Sequence, residues 1–302
     1  METSITQRLF GTEDALALFD PDALTFLVLA IVILWIGKCI NDFTTPYKLS
    51  EQLTEKDNKA IAVSFSGYML AIGVIVWGVL RQDIAANGIE DARKLLWMDI
   101  GGTALWSIFG ILLLQVARVA NDKLLLHRFS NVKELVEDHN VGTGAVQAGS
   151  YVGSAFVIQA ATYGESSGSL IADIGSTLLY FVCCQIAFIL FGLVYQKISA
   201  YDLHAEIERD NAAAGVGFGM TLAAIGMLLS SYLISNDSLI GLAVWFAICV
   251  CLLSICRYAV DKFILPGSLL DDEISRDRNW GAALIEGTAA IGLALILSTL
   301  FH

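Results

Sequence analysis

Glu286 is the carboxylate in this chain whose position most needs a chemical explanation, since it lies inside the apolar run from Trp280 to Leu300, seven positions after Asn279. At 1.5 Å per residue that is about 10 Å into a helix. An ionised carboxylate in hydrocarbon costs several kcal/mol unless it is paired, wet or protonated, so it must face other helices or a cavity. Proton or small-cation exchange is the chemistry such a group could carry. Gln147 stands at the same place after Asn140, and the two together form a candidate intramembrane polar site. A structural hydrogen bond, for instance between them, would satisfy the carboxylate equally well.

The Asn residues belong to four related motifs, EKDNKAIAVSFSG, EDHNVGTGAVQAG, ERDNAAAGVGFGM and SRDRNWGAALIEG, with Asn58, Asn140, Asn211 and Asn279 in equivalent places. A polar residue of this type opening an apolar run is a helix N-terminus signal, because its side-chain oxygen can accept from the unpaired N–H groups of the first turn. These Asn residues are read either as caps or as ligand-facing groups at a cytoplasmic mouth. A second repeat, DIGGTALW from Asp99 and DIGSTLLY from Asp173, places an acid near the start of another helix. Asp99 and Asp173 either complement the helix dipole or form an outer cation vestibule, with Thr103 and Thr177 extending the polar path or bonding back to helical carbonyls.

The elements that must position these residues are membrane helices. Hydrophobic residues make up 56% of the 302, with a mean hydropathy of +0.66. The apolar positions fall into eight runs of membrane length, near Leu24–Ile40, Ala60–Leu80, Leu95–Val116, Val141–Thr162, Leu170–Gln196, Ala212–Ile234, Leu239–Cys256 and Trp280–Leu300. Alternation with period two is absent, which argues against a lipid-facing barrel. The expected fold is all-α, a polytopic membrane helix bundle of about eight transmembrane helices built from four helix-pair repeats. Ahead of the first run, Glu13, Asp14, Asp20 and Asp22 form an acidic tail unlike a signal peptide, so that run is expected to remain as a helix.

Small residues after the Asn motifs, including Gly142, Gly149, Gly215 and Gly219, predict close backbone approach and make the even-numbered spans the inner packing layer. Each odd-numbered span ends in a basic residue followed by an acid: Lys38 with Asp42, Arg118 with Asp122, Lys197 with Asp202, Arg257 with Asp261. Such pairs are expected to share a helix face and anchor it at the headgroups by snorkelling. Leu125, Phe129, Val132 and Val136 predict an amphipathic interfacial helix in one connector, with a solvated helix packed on the bundle as the alternative. All Lys and Arg except Arg8, Arg81, Arg93 and Lys94 lie in the connectors that lead to the Asn motifs. The positive-inside rule then puts those connectors in the cytoplasm, with both termini outside.

The polar connector, Asn motif and small-residue helix resemble the YjfL-like bacterial inner-membrane family, domain of unknown function 350, over nearly the whole chain. Typical members look like one four-helix module, so the resemblance implies two in tandem, 1–164 and 165–302, in a bacterial inner membrane. It implies no known activity, and links the family to envelope stress only by association.

No zinc-protease His pair, nucleophile elbow or kinase set is present, and the six cysteines lack clustered His partners, so neither an enzyme nor a metal or cofactor site is expected. The expected partner is the lipid bilayer, not nucleic acid, with a homo-oligomer and a cytoplasmic protein partner left open. The expected function is a small-cation or proton channel or transporter using Glu286, with a non-transporting membrane-organising or envelope-stress protein acting through its cytoplasmic connectors as the alternative.

Overall fold

The computed structural model of the chain describes residues 21–82, 91–164 and 168–300, which form helices joined by short connections with no strand among them. Glu13, Asp14, Asp20 and Arg8 lie outside the described residues. Among the described residues eight helices are long: α1 (Pro21–Thr44), α3 (Lys59–Leu80), α4 (Ala92–Ala120), α6 (Val141–Ala161), α7 (Leu170–Ile198), α9 (Ala212–Ser235), α10 (Leu239–Ala259) and α12 (Trp280–Leu300). Four are short and lie in the connectors: α2 (Leu49–Thr54), α5 (Asn131–Val136), α8 (Leu203–Glu208) and α11 (Leu270–Ser275).

Seven of the long helices are long and apolar enough to cross a membrane, and α6 is the exception. Its 21 residues would span, but they include Gly142, Gly144, Gly149, Gly153, Gln147 and Gln159, which lower its hydropathy. Most of α6 is buried among other helices, so protein and not lipid covers it.

The helices α3, α6, α9 and α12 form a row in which each packs most extensively against the next. Lipid supplies no hydrophobic drive between helices, so close van der Waals contact must hold them together. Side chains small enough to permit that contact fill the row. A Cβ added at Gly149 would collide with the Gly219 carbonyl, one at Gly215 with Gly142, and one at Gly226 with Gly153, so α6 and α9 meet backbone to backbone. The helices α1, α4, α7 and α10 pack outside the row and expose large apolar side chains such as Trp35, Leu112, Leu193 and Ile255. That division follows composition: glycine and alanine on the inner helices, leucine and isoleucine on the outer ones.

The amphipathic connector expected through Leu125, Phe129, Val132 and Val136 is not one helix. A π-helical turn, Asn121–Leu125, prolongs α4, and α5 begins afresh at Asn131. Leu125 is buried against Gly192 of α7 while Val132 is exposed, so the four residues do not share an interfacial face. An equivalent π-helical turn, Val260–Ile264, prolongs α10.

Candidate functional site

Each motif Asn begins a long inner helix, and the residue before it takes a left-handed backbone: Asp57, His139, Asp210 and Arg278 have φ of 47°, 54°, 57° and 51°. That conformation ends the short connector helix and turns the chain straight into the next long one. The Asn Oδ1 then accepts from first-turn N–H groups, as Asn140 does from Thr143 at 3.0 Å and Asn58 from Ile61 at 3.1 Å. The Nδ2 group does a second job. It donates back to its own connector, from Asn58 to Gln52, Asn140 to Glu134, Asn211 to Glu206 and Asn279 to Glu273. In three repeats it also donates to a carbonyl of the following connector: Asn58 to Leu135 at 2.7 Å, Asn140 to Ile207 at 2.6 Å, and Asn211 to Ile274 at 2.8 Å. Asn58, Asn140 and Asn211 are buried, and these bonds make each of them both a helix cap and a link from one repeat to the next.

Glu286 is 3% exposed. One carboxylate oxygen, Oε1, is held by Arg257 of α10 and accepts from the Tyr195 hydroxyl of α7 at 3.1 Å. Arg257 also donates to that hydroxyl at 2.9 Å, lies 5.0 Å from the Tyr195 ring centre, and pairs with Asp271 of α11. Three long helices and one connector thus converge on a single guanidinium. Glu286 Oε2 has no hydrogen-bond partner among the described residues, and the side chain borders a void of about 10 Å³ with Phe191, Thr221 and Leu253. Next to it, a cleft of about 250 Å³ is lined by Ile198, Ser254, Arg257, Tyr258 and Asp271. Tyr201, just beyond the end of α7, is also buried, which pushes its phenol up to about 12 and keeps it protonated.

Gln147 does not join this cluster. Its Nε2 donates to Asp122 at 2.9 Å and its Oε1 accepts from Ser64 at 2.7 Å, while Asn131 also donates to Asp122 at 2.9 Å. The paired site expected of Glu286 and Gln147 is therefore two sites, one in each half. The reason is the repeat itself: equivalent residues sit two steps apart along the row, each facing the end of the outer helix in its own repeat.

Of the expected boundary pairs, Lys38–Asp42 forms, at 2.6 Å. Arg257 is buried between acids and does not snorkel, Asp261 accepts from the Leu270 N–H, and Asp202 pairs with Arg128. Arg118 donates to the Thr44 carbonyl.

Asp173 lines a cleft of about 280 Å³ with Gln82, Trp106, Thr162 and Thr177, which Asp99 does not border. Thr177 bonds back to the Asp173 carbonyl at 2.9 Å and to that of Ala161 at 3.0 Å.

Sequence reasoning missed Arg257, Tyr195, Asp271 and Asp122 as members of these clusters. The sequence put Arg257 at the end of its span, but the π-helical turn Val260–Ile264 carries the helix further toward the connector side and leaves Arg257 at the depth of Glu286. Among the described residues no group of three or more His, Cys, Asp or Glu could hold a metal ion.

A family model described as Domain of Unknown Function (DUF350) matches residues 12–162 and again 169–301. The chain belongs to the DUF350 family, in two tandem copies. Among similar proteins, the UPF0719 transmembrane protein of Aquifex aeolicus (strain VF5) is 23% identical over 203 residues, covering 66% of this chain and 70% of the relative. The UPF0719 transmembrane protein YshE of Bacillus subtilis (strain 168) is 24% identical over 119 residues, covering 39% of this chain and 87% of the relative. No solved structure matches. With seven apolar helices and transmembrane relatives, this DUF350 protein is a multi-pass membrane protein.

Proposed function

We propose that this DUF350 protein is a non-transporting, non-enzymatic protein of the bacterial inner membrane that organises the bilayer and its partners through connectors facing the cytoplasm, with both termini outside. The concentration of Lys and Arg in those connectors supports the orientation. The observation that carries the reading is the Arg257 cluster. A guanidinium neutralises Glu286 and ties α7, α10, α11 and α12 together, which gives the buried carboxylate a bracing role without any moving ion. The inner row supports it as well, because polar side chains there join one repeat to the next and glycine contacts close the space between helices.

The second reading, proton or small-cation carriage through Glu286, is favoured by the unpartnered Oε2 and by the cleft beside Arg257. Flux in proteoliposomes separates the two. Wild type is expected to carry neither protons nor monovalent cations under a gradient or voltage, whereas flux that disappears in Glu286→Gln would establish the carrier and overturn the organising role.

A further inference from the structure

The helix row is periodic, and among the described residues both of its ends are left open. Every internal joint uses the same two faces. The leading face of an inner helix carries the residues two, nine and thirteen positions after its Asn: Ala60, Gly67 and Ala71 on α3, Gly142, Gly149 and Gly153 on α6, and Ala213, Met220 and Ala224 on α9. The trailing face of the next helix carries those four, eight and fifteen positions after its Asn: Gly144, Ala148 and Ala155 on α6, Gly215, Gly219 and Gly226 on α9, and Ala283, Gly287 and Ala294 on α12. Contacts pair the two sets in register, with Gly67 against Ala148, Gly149 against Gly219, and Met220 against Gly287.

Among the described residues, the first trailing face and the last leading face have no inner helix packed on them. On α3 the trailing residues are Ala62, Ser66 and Gly73; Ser66 is exposed, and a Cβ at Gly73 would meet nothing within 4 Å. On α12 the leading residues are Gly281, Thr288 and Gly292; Thr288 is exposed, and a Cβ at Gly292 would likewise meet nothing within 4 Å. Surfaces meant for lipid need no such residues, and glycine weakens a helix. The outer helix α10, by contrast, exposes Ile240, Val244, Ile248 and Ile255.

An independent feature ends at the same two places. The Asn ladder reaches from each repeat to the next connector, but Asn279 is exposed and its Nδ2 donates within its own repeat, to Glu273 at 2.9 Å. At the other end, Leu53 stands where Leu135, Ile207 and Ile274 stand in their connectors, and no Asn from a described repeat reaches its carbonyl.

We propose that α12 of one copy docks on α3 of a second copy through the joint already used inside the chain, with Asn279 donating to the Leu53 carbonyl of that second copy. The occupant of both open faces is thus this chain itself. The interface is heterologous, so repetition produces either a closed ring or an open row of helices across the bilayer. The Bacillus relative fits this picture, because 39% of this chain covers 87% of it. In a chain of that length, the joint between α6 and α9 would be made between copies. The proposal stands apart from the question of flux.

Disulfide trapping in native membranes tests it. By the internal register, Thr288 of one copy meets Ser66 of the next, so the double variant Ser66→Cys/Thr288→Cys is made in a chain whose exposed Cys39 and Cys251 are replaced by Ser. Oxidation is expected to produce a ladder of covalent multimers. Chains carrying Ser66→Cys alone and Thr288→Cys alone are expected to remain uncrosslinked separately and to give a covalent dimer when co-expressed. A double variant that stays monomeric would overturn the proposal, as would covalent dimers of Thr288→Cys alone, which require α12 to face α12. The wild type supplies a reading free of substitutions: native mass spectrometry from lipid nanodiscs is expected to give a multiple of 32.6 kDa, and the monomer mass alone would contradict the joint.

Discussion

Arg257 near the end of α10 holds Glu286 on α12 and, with its other terminal nitrogen, Asp271 on α11. Removing one partner of a buried pair leaves the other charged and desolvated, a loss of about 3–5 kcal/mol, whereas replacing both by apolar groups of similar size is often neutral. Arg257→Met, which strands Glu286, is therefore expected to lower the thermal midpoint in detergent markedly, and Arg257→Met/Glu286→Leu, which leaves unpaired only the more exposed Asp271, to recover most of the loss. A double variant no better than the single one would count against a bracing role.

Asn140 and Asn279 occupy equivalent positions with different duties. Asn140→Ala loses a cap and two buried hydrogen bonds, for about 2–4 kcal/mol, while Asn279→Ala loses an exposed cap and one bond, for about 1 kcal/mol. Thermal melts of the two variants in detergent, as single chains by size exclusion, check the ordering, because a docked second copy would give Asn279 its second bond. Equal losses would show that the link from Asn140 to Ile207 adds nothing.

Gly149→Leu is expected to break the contact between α6 and α9, since even a Cβ there meets the Gly219 carbonyl, and folded yield should fall severely. Gly101→Ala, at a position open in the fold, should express like wild type and gain slightly from helix propensity, by about 0.5–1 kcal/mol. Expression and size-exclusion profiles compare them directly.

His204 on α8 gives the connectors a pH dependence. Burial holds its imidazole below the usual value of about 6.5, opposed by the bond from Nε2 to the Leu125 carbonyl at 2.8 Å, with Arg128, His127 and Asp202 as its charged or titratable neighbours. The fold favours the neutral ring. Its contribution is complete above the unfolded value and is lost as pH falls through the lowered folded one. The thermal midpoint should drop as pH falls below about 6.5, and His204→Gln should flatten that decline. A slope unchanged in the variant would assign the acid sensitivity to another group.

The membrane class, the inner role of the glycine-rich helices and the capping Asn residues were legible because each depends on local chemistry or periodicity. The second bond of each Asn was not, since its acceptor, such as Ile207 for Asn140, belongs to the next repeat. Spacing suggested Asp122 as the partner of Arg118, but the π-helical turn from Asn121 changes the angular step and Asp122 instead accepts from Gln147 and Asn131. Position alone tied Glu286 to Gln147, while the carboxylate's need for a counter-charge takes it to Arg257 in its own repeat.

The most direct measurement of the central claim is proton and monovalent-cation flux into liposomes holding the purified protein, with wild type and Glu286→Gln at matched incorporation. No flux above empty liposomes is expected for either chain, under ion gradients or applied voltage. Flux in wild type that is lost in Glu286→Gln would contradict it and make the Arg257 cluster a transport site.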